Sequence, residues 1–373
     1  MRIGLNLLFM IPGIVGGTET YAVSLINAMA KIDSANQYFI FTNRETNPRT
    51  FQVGENFTFV PCPINATNRV SRFLWEQLIL PSQARGYQLD LVHSLGYISP
   101  LMLSMKSIVT IPDLNYRAIP QSFTSFTRAV QKFFVENSAR RVNQIITISE
   151  FTRGDIIQRL GISSDKVTAI FLAPKERESR EQASWDELIL KHRINRPYVF
   201  VLSSKSPHKN IPRLVEAFLR ANHQLAHAFQ LIVGGHLPDH AGTARQIKTV
   251  VDESSDIRVT GYISDDELAE LLAHASVYAF PSLYEGFGLP ALEAMAVGVP
   301  VLSSDRASLP EVCGDAAIFF DPLDVEAIAA SLVKVLSDSE LRSRLTADGY
   351  ENLKRFSWES AARQTLAVYQ ALG

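Results

Sequence analysis

The chain has 373 residues, 46% hydrophobic and 20% charged, with a formal net charge of −2; this is an ordinary globular composition at a length that suits two domains. Such a chain buries a sizeable core without a staple, and Cys62 and Cys313 lie far apart outside any CxxC or Cys/His cluster, which argues for a reducing compartment and against structural zinc. Residues 1–180 carry 19 Lys+Arg against 13 Asp+Glu and the remainder 17 against 25, so a basic first half precedes an acidic second, a division that can steer an anionic partner or simply reflect solvated faces.

The opening MRIGLNLLFM halts at Pro12 and Gly13 and reads as a buried first strand rather than a signal peptide. Strands are predicted at Ile3–Phe9, Tyr38–Thr42, Leu91–His93, Ser107–Ile111, Gln144–Ile148 and Val167–Ile170, with helices such as Glu19–Met29 and Phe126–Arg140 between them. The alternation implies βαβ units on a parallel sheet. After strand one the loop PGIVGGTET holds Gly13, Gly16 and Gly17 before a helix. It is not GxGxxG, so the dinucleotide fingerprint fails; paired glycines there still allow an anion or sugar to approach, or make a tight turn with Thr18 as cap. Ser149, in IITISEFTRGDI with Thr147 and Glu150, reads first as a helix N-cap.

Residues 176–196 are charged and lack an apolar period, and are read as the connection between a first domain, 1–175, and a second, 197–356. The second has strands predicted at Tyr198–Leu202, Phe229–Val233, Ile257–Val259, Val277–Phe280, Val299–Leu302 and Ala317–Phe319. Its helices are expected at Ile211–Ala221, Asp265–His274, Pro290–Ala296, Val325–Leu336 and Ser339–Asn352. A last helix, within 357–373, has no strand after it and is expected to pack back on the first domain. Two doubly wound Rossmann-like α/β domains facing across a cleft follow, and the cleft is the default site. No stretch of 18 apolar residues occurs, so no transmembrane helix is expected.

The strongest local signal is PSLYEGFGLPALEAMAVGVP, residues 281–300, after the strand Val277–Phe280. Gly286 and Gly288 break any helix before Pro290, which fits a first turn; Gly298 caps the end and Pro300 blocks resumption. Glu285 then lies in a glycine-rich loop and Glu293 in the first turn of the helix. Glycines let backbone approach a diphosphate, and a helix start attracts its oxygens. A carboxylate such as Glu293 can accept hydrogen bonds from both ribose hydroxyls, while Glu285 can face a sugar. Glutamates near a helix start also serve the dipole alone. In the second domain's first loop, LSSKSPHKN, Lys205 and Lys209 are placed to meet charge on a leaving diphosphate, or stand as solvated lysines.

The string resembles the signature of the large retaining family called glycosyltransferase group 1, or family 4, of the GT-B type, with two glutamates separated by seven residues in an EGFGLPxLEAM-like run. The resemblance continues into SSDRASLPEVCGDAA and is strongest after residue 196. It implies that Glu293 binds ribose and Glu285 the transferred sugar, with the backbone of Phe287, Gly288 and Leu289 against sugar and diphosphate. Lys209 matches the family lysine, whereas Ser204, with Lys205 beside it, stands at the family arginine. Gly16 and Gly17 match a Gly-Gly that contacts donor phosphate or acceptor. In VTIPDLNY the family His is replaced by Pro112, with Asp113 retained. His93, Asp113 and, less directly, Asn115 and Tyr116 are therefore candidates for the sugar or acceptor side.

The expected function is retaining hexosyl transfer from a nucleoside-diphosphate sugar, GDP-mannose or UDP-glucose, to a glycan, lipid-linked or small-molecule acceptor. The resemblance implies front-face attack and no metal or other cofactor, and no DxD-like pair stands out. No nucleic-acid partner is expected. The location expected is cytoplasmic, with peripheral attachment at the inner membrane face served by basic groups near Arg69, Arg72, Phe73 and Trp75 and near Arg117, Arg128, Lys132, Arg140 and Arg141. The rival readings are another enzyme of this fold, a non-catalytic nucleotide-sugar or glycan-binding protein, and a dehydrogenase. Pro112 keeps the non-catalytic reading open, while Glu285, Glu293 and Lys209 together argue against it; the missing fingerprint counts against the dehydrogenase.

Overall fold

The structure, a computed structural model, describes residues 1–175, 184–237 and 243–373, with 243–246 described by backbone only. The chain divides into two compact units: residues 1–175 with 356–373, and residues 176–355. The second is thus inserted in the first by chain order.

Unit 1 holds seven strands: β1 (Arg2–Asn6), β2 (Gln37–Thr42), β3 (Phe57–Pro61), β4 (Leu91–Ser94), β5 (Lys106–Thr110), β6 (Gln144–Thr147) and β7 (Val167–Ala169). They form one parallel sheet in the order β3-β2-β1-β4-β5-β6-β7. The central strands are buried along nearly their whole length, as both faces of a parallel sheet are covered. β3 goes unpredicted because FTFVP is short, ends in proline and alternates buried with exposed residues, as an edge strand does. Strand order reverses between β1 and β4, which places the unit's crevice beyond Asn6 and Ser94.

The helix Trp358–Gln370 packs on helix Gly17–Ile32 within unit 1. Trp358 Nε1 donates to Pro174 O at 3.0 Å, and Phe171 packs on Phe356. The helix from Arg69 to Leu74 passes through a π-turn, Trp75–Ile79, into Leu80–Gly86.

Unit 2 holds β8 (Tyr198–Leu202), β9 (Gln230–Gly234), β10 (Ile257–Val259), β11 (Val277–Phe280), β12 (Val301–Ser304) and β13 (Ala317–Phe320), parallel in the order β10-β9-β8-β11-β12-β13. Helix Ile211–Gln224 shows how the core forms: Ile211, Leu214, Val215, Phe218 and Ala221 fall on one face and are fully or nearly buried, at about 1.5–3 kcal/mol for each large side chain. Strand order reverses between β8 and β11, so loops 203–209 and 281–288 meet at the switch point.

The stretch expected to be plain connection, 176–196, contains helix Trp185–His192; its residues 176–183 lie outside those described. The period is hidden because only Leu188 and His192, one turn apart, are fully buried among charged neighbours. Trp185 stacks on His274, ring centroids 3.9 Å apart, which fixes this helix against Asp265–Ala273.

Candidate functional site

Two loops build the unit 2 site. After β8 the chain turns through Ser204, whose hydroxyl accepts from Ser206 N, into the 3-10 turn Pro207–Lys209. Asn210 follows at φ 55°, a left-handed conformation that asparagine tolerates, and begins helix Ile211–Gln224. Its Nδ2 donates to Pro281 O at 3.1 Å and to Pro322 O at 2.7 Å. Leu283 N donates to His208 O at 2.8 Å. These bonds bind the β8 loop to the β11 loop.

Across that seam Lys209 Nζ lies 2.8 Å from Glu285 Oε1, with both side chains largely buried. Lys209 also sits 5.4 Å from the Phe280 ring centroid. Burial pushes the Glu285 carboxyl up, but the Lys209 ammonium, the His208 ring and hydrogen bonds from Lys209 and Ser282 together outweigh it and hold the group below the usual glutamate range. Burial pulls the His208 ring down. Lys205 is exposed in the same loop.

Gly288 is the N-cap of helix Leu289–Ala296 at φ 127°, where an added Cβ would lie 2.9 Å from Leu309 Cδ2. Only glycine fits both demands. Phe287 and Leu289 are buried, so their side chains serve the packing of the loop. Ser308, from the loop after β12, donates to Glu285 O at 2.9 Å or Phe287 O at 2.6 Å and so fixes the glycine loop from below. Glu293 is corrected in position: the helix starts at Leu289, so Glu293 is its fifth residue and belongs to the second turn. It is half-buried on the same helix.

In unit 1, Gly16 is the N-cap of helix Gly17–Ile32 at φ 56°, with Thr18 inside the helix rather than capping it. Both glycines are exposed and open space surrounds a Cβ at Gly16. Glu19, in the helix's first turn, accepts from Gly13 N at 2.8 Å. A carboxylate therefore already faces this loop, which disfavours a second anion there and favours neutral hydroxyls.

His93 requires correction as a sugar-side group. It has no exposed surface; Nδ1 lies 2.7 Å from Tyr369 Oη and Nε2 2.8 Å from Thr110 Oγ1, which in turn meets Tyr21 Oη at 2.8 Å. Burial lowers its pKa to about 3, so it is neutral. It is a core group joining β4, β5 and the last helix. Tyr116 is likewise buried. Asp113 is half-buried: Oδ2 accepts from Tyr97 Oη at 3.0 Å and Oδ1 from Asn115 N at 3.0 Å. Pro112 O accepts from Thr152 Oγ1 at 3.0 Å, and Ser149 caps its helix.

One buried carboxylate was not foreseen. Glu76, on the π-turn, accepts from Asn6 Nδ2 at 3.0 Å, and the same nitrogen lies 3.3 Å from Ser94 Oγ at the β1/β4 switch point. Burial raises its pKa against the attraction of Arg72, 3.8 Å away. Among the described residues no group of three or more His, Cys, Asp or Glu is arranged to hold a metal ion. No described helix is long and apolar enough to cross a membrane.

Comparison with known proteins follows the two units. Residues 186–352 match the family model "Glycosyl transferases group 1", and residues 15–173 match "Glycosyltransferase Family 4". The chain is 31% identical over 290 residues to O-antigen chain mannosyltransferase B of Escherichia coli, covering 77% of this chain and 76% of that one. It is 30% identical over 236 residues to an MMP alpha-(1->4)-mannosyltransferase of Mycolicibacterium hassiacum, across 62% of this chain and 55% of the relative. In fold it is similar to sucrose-phosphate synthase from Thermosynechococcus elongatus (TM-score 0.76, 20% identity, 100% and 99% coverage). It is also similar to Anabaena Alr3699/HepE, solved with UDP and glucose (TM-score 0.70, 16% identity, full coverage of both).

Proposed function

The chain belongs to the group 1 glycosyltransferases, and we propose that it moves a hexose, mannose before glucose, from a nucleoside-diphosphate sugar to a glycan acceptor with retention of configuration. The preference for mannose is supported by the names of the two mannosyltransferase relatives, and one of those names, O-antigen chain, supports a surface polysaccharide as product. GDP-mannose is therefore the first donor to test and UDP-glucose the second. The non-catalytic alternative draws nothing from these relatives.

The observation that carries the reading is the Lys209–Glu285 pair at the β8/β11 switch point, beside a glycine-capped helix start. In this reading the donor diphosphate lies against the backbone of Phe287 to Leu289. Lys209 turns from Glu285 to the phosphate oxygens, and Glu285, already ionised, accepts hydrogen bonds from the sugar hydroxyls. Glu293 accepts from the ribose hydroxyls. The C1–O bond to the β-phosphate breaks with its electron pair going to the phosphate oxygen. The acceptor oxygen bonds to C1 from the same face and passes its proton to that phosphate oxygen. Lys209 neutralises the charge gathering there, a role worth about 10²–10³ in rate for one well-placed donor. The reading needs no resident metal or cofactor. The acceptor is presented on unit 1, lipid-linked at the inner membrane face, with the enzyme peripheral and cytoplasmic.

Ligand-detected NMR with a panel of nucleotide sugars tests this. Glu293→Ala should weaken the bound donor at least about tenfold, the scale of hydrogen bonds to a charged group. No donor bound by the parent protein, or equal binding in the variant, would remove the assignment.

A further inference from the structure

The turn that delivers Lys209 also delivers His208, a titratable group to which the transfer reaction above gives no work. Pro207 presets the start of the 3-10 turn and left-handed Asn210 ends it, so His208 and Lys209 project from consecutive positions of one short turn. That turn is clamped twice on the β11 loop: Leu283 N donates to His208 O at 2.8 Å and Asn210 Nδ2 to Pro281 O at 3.1 Å. The ring is half-buried, yet its Nδ1 is wholly covered and has no hydrogen-bond partner. A covered polar atom left unpaired marks a place where another group is to be met.

Burial disfavours an imidazolium here most strongly. Two charges among the described residues then act on the ring: Glu285, from the β11 loop, favours the imidazolium, and Lys209, from the same turn, opposes it. His208 is therefore neutral near neutral pH while Lys209 holds Glu285 at 2.8 Å. A nucleoside diphosphate changes this balance. It brings more negative charge than one ammonium neutralises, and Lys209, in turning to it, leaves the Glu285 carboxylate uncompensated. Both changes favour a proton on the ring. Ser204 offers no charge, and Lys205 is exposed, where a cation does least for a shielded anion.

We propose that His208 is a second, proton-gated cation of the donor site: neutral while Lys209 is paired with Glu285, it takes one proton from water when a nucleoside diphosphate draws Lys209 away, and returns that proton when the nucleotide leaves. The proposal rests on the reading of a nucleoside-diphosphate donor and adds to it a proton taken up on binding.

The test is calorimetric titration of the full chain with GDP and with UDP, each at neutral pH in two buffers of different ionisation enthalpy. The difference in observed heat counts the protons taken up. The parent should take up close to one, and its affinity should fall by up to about tenfold per pH step of one between about pH 6.5 and 8.5, as the bound-state imidazolium is lost. His208→Gln should take up none, bind about tenfold more weakly at the lower end of that range, and show a flat profile across it. His236→Gln, at the other histidine of the neighbouring loops, should keep the uptake. If His208→Gln fails to melt like the parent, nitrogen-15 NMR of the histidine-labelled parent reads the same event: one of the eight imidazoles should pass from neutral to doubly protonated on adding nucleotide. A parent that binds GDP or UDP with no proton uptake and no such imidazole overturns the proposal and leaves the functional reading in place. Uptake that survives in His208→Gln, or is lost in His236→Gln, likewise overturns it by placing the proton elsewhere. A folded parent that binds neither nucleotide overturns both.

Discussion

Replacing Lys209 with Met removes the cation from a pair that is 2.8 Å apart and largely shielded from water. At an effective dielectric of about 20 the direct attraction at this distance is on the order of 6 kcal/mol. Desolvation of both ions offsets part of it, and breaking such a pair from one side costs about 3–5 kcal/mol when burial is complete. Both side chains keep some exposure, so unit 2 should lose about 2–4 kcal/mol near neutral pH. The pH dependence carries the sharper test. In the parent the folded Glu285 pKa is depressed, so its contribution is present above the unfolded value, about 4.3, and is lost as pH falls through the folded value. Without Lys209 the main opposition to burial is gone, leaving only His208 and Ser282 against it, and the folded pKa rises. The contribution then exists below about 4.3 and is lost as pH rises through the raised value. Urea denaturation of parent and Lys209→Met between mildly acidic and neutral pH should therefore diverge, with the variant's deficit growing as pH rises. Adding Glu285→Gln should restore stability without restoring turnover. A deficit independent of pH, or none at all, would refute the idea that these two charges hold each other in the resting site.

Two further outcomes follow from the geometry. Ser308→Ala removes the hydroxyl that serves the carbonyls of Glu285 and Phe287; donor KM should rise and stability fall by about 1–3 kcal/mol, and steady-state kinetics with unchanged KM would contradict this role. His93→Gln should lower the stability of unit 1 while leaving turnover per folded molecule unchanged. Because His93 is neutral when folded, with a pKa of about 3, the parent should lose stability as pH falls below the unfolded histidine value of about 6.5, and the variant should lose less over that span. Acid titrations of parent and variant that coincide would speak against a buried neutral histidine.

The second sheet was legible because its strands are short apolar runs separated by helices with clear inward faces, as in Ile211, Leu214, Val215 and Phe218. The glycine loop was legible because its chemistry is contiguous, from Glu285 to Gly288. What supports that loop was not. Ser308 reaches it from 23 residues away and Asn210 reaches Pro281 from 71, and neither separation leaves a local pattern. Glu293 reads one turn early from sequence because Pro290 fits the first helical position, with the glutamate three positions on. The cap at Gly288 starts the helix at Leu289 and leaves Glu293 fifth. His93 misled for the opposite reason: a strand-end histidine has the right location for a ligand, but its partner Tyr369 is 276 residues away and invisible to spacing. Glu76 leaves no signal in the sequence because a lone glutamate in a helical stretch reads as a solvated face, and only the π-turn brings it beneath Asn6.

The chain's return to unit 1 at Phe356 has a consequence for its synthesis. Domains fold in general as they leave the ribosome, amino end first. Here that order is reversed for completion. Residues 176–355 are made before Tyr369, so the first unit lacks the helix that covers Gly17–Ile32 and the hydroxyl that meets His93 until the inserted one has been synthesised whole. A released chain truncated at Arg355 would therefore carry the whole inserted unit beside a first unit whose helix Gly17–Ile32 lacks its cover.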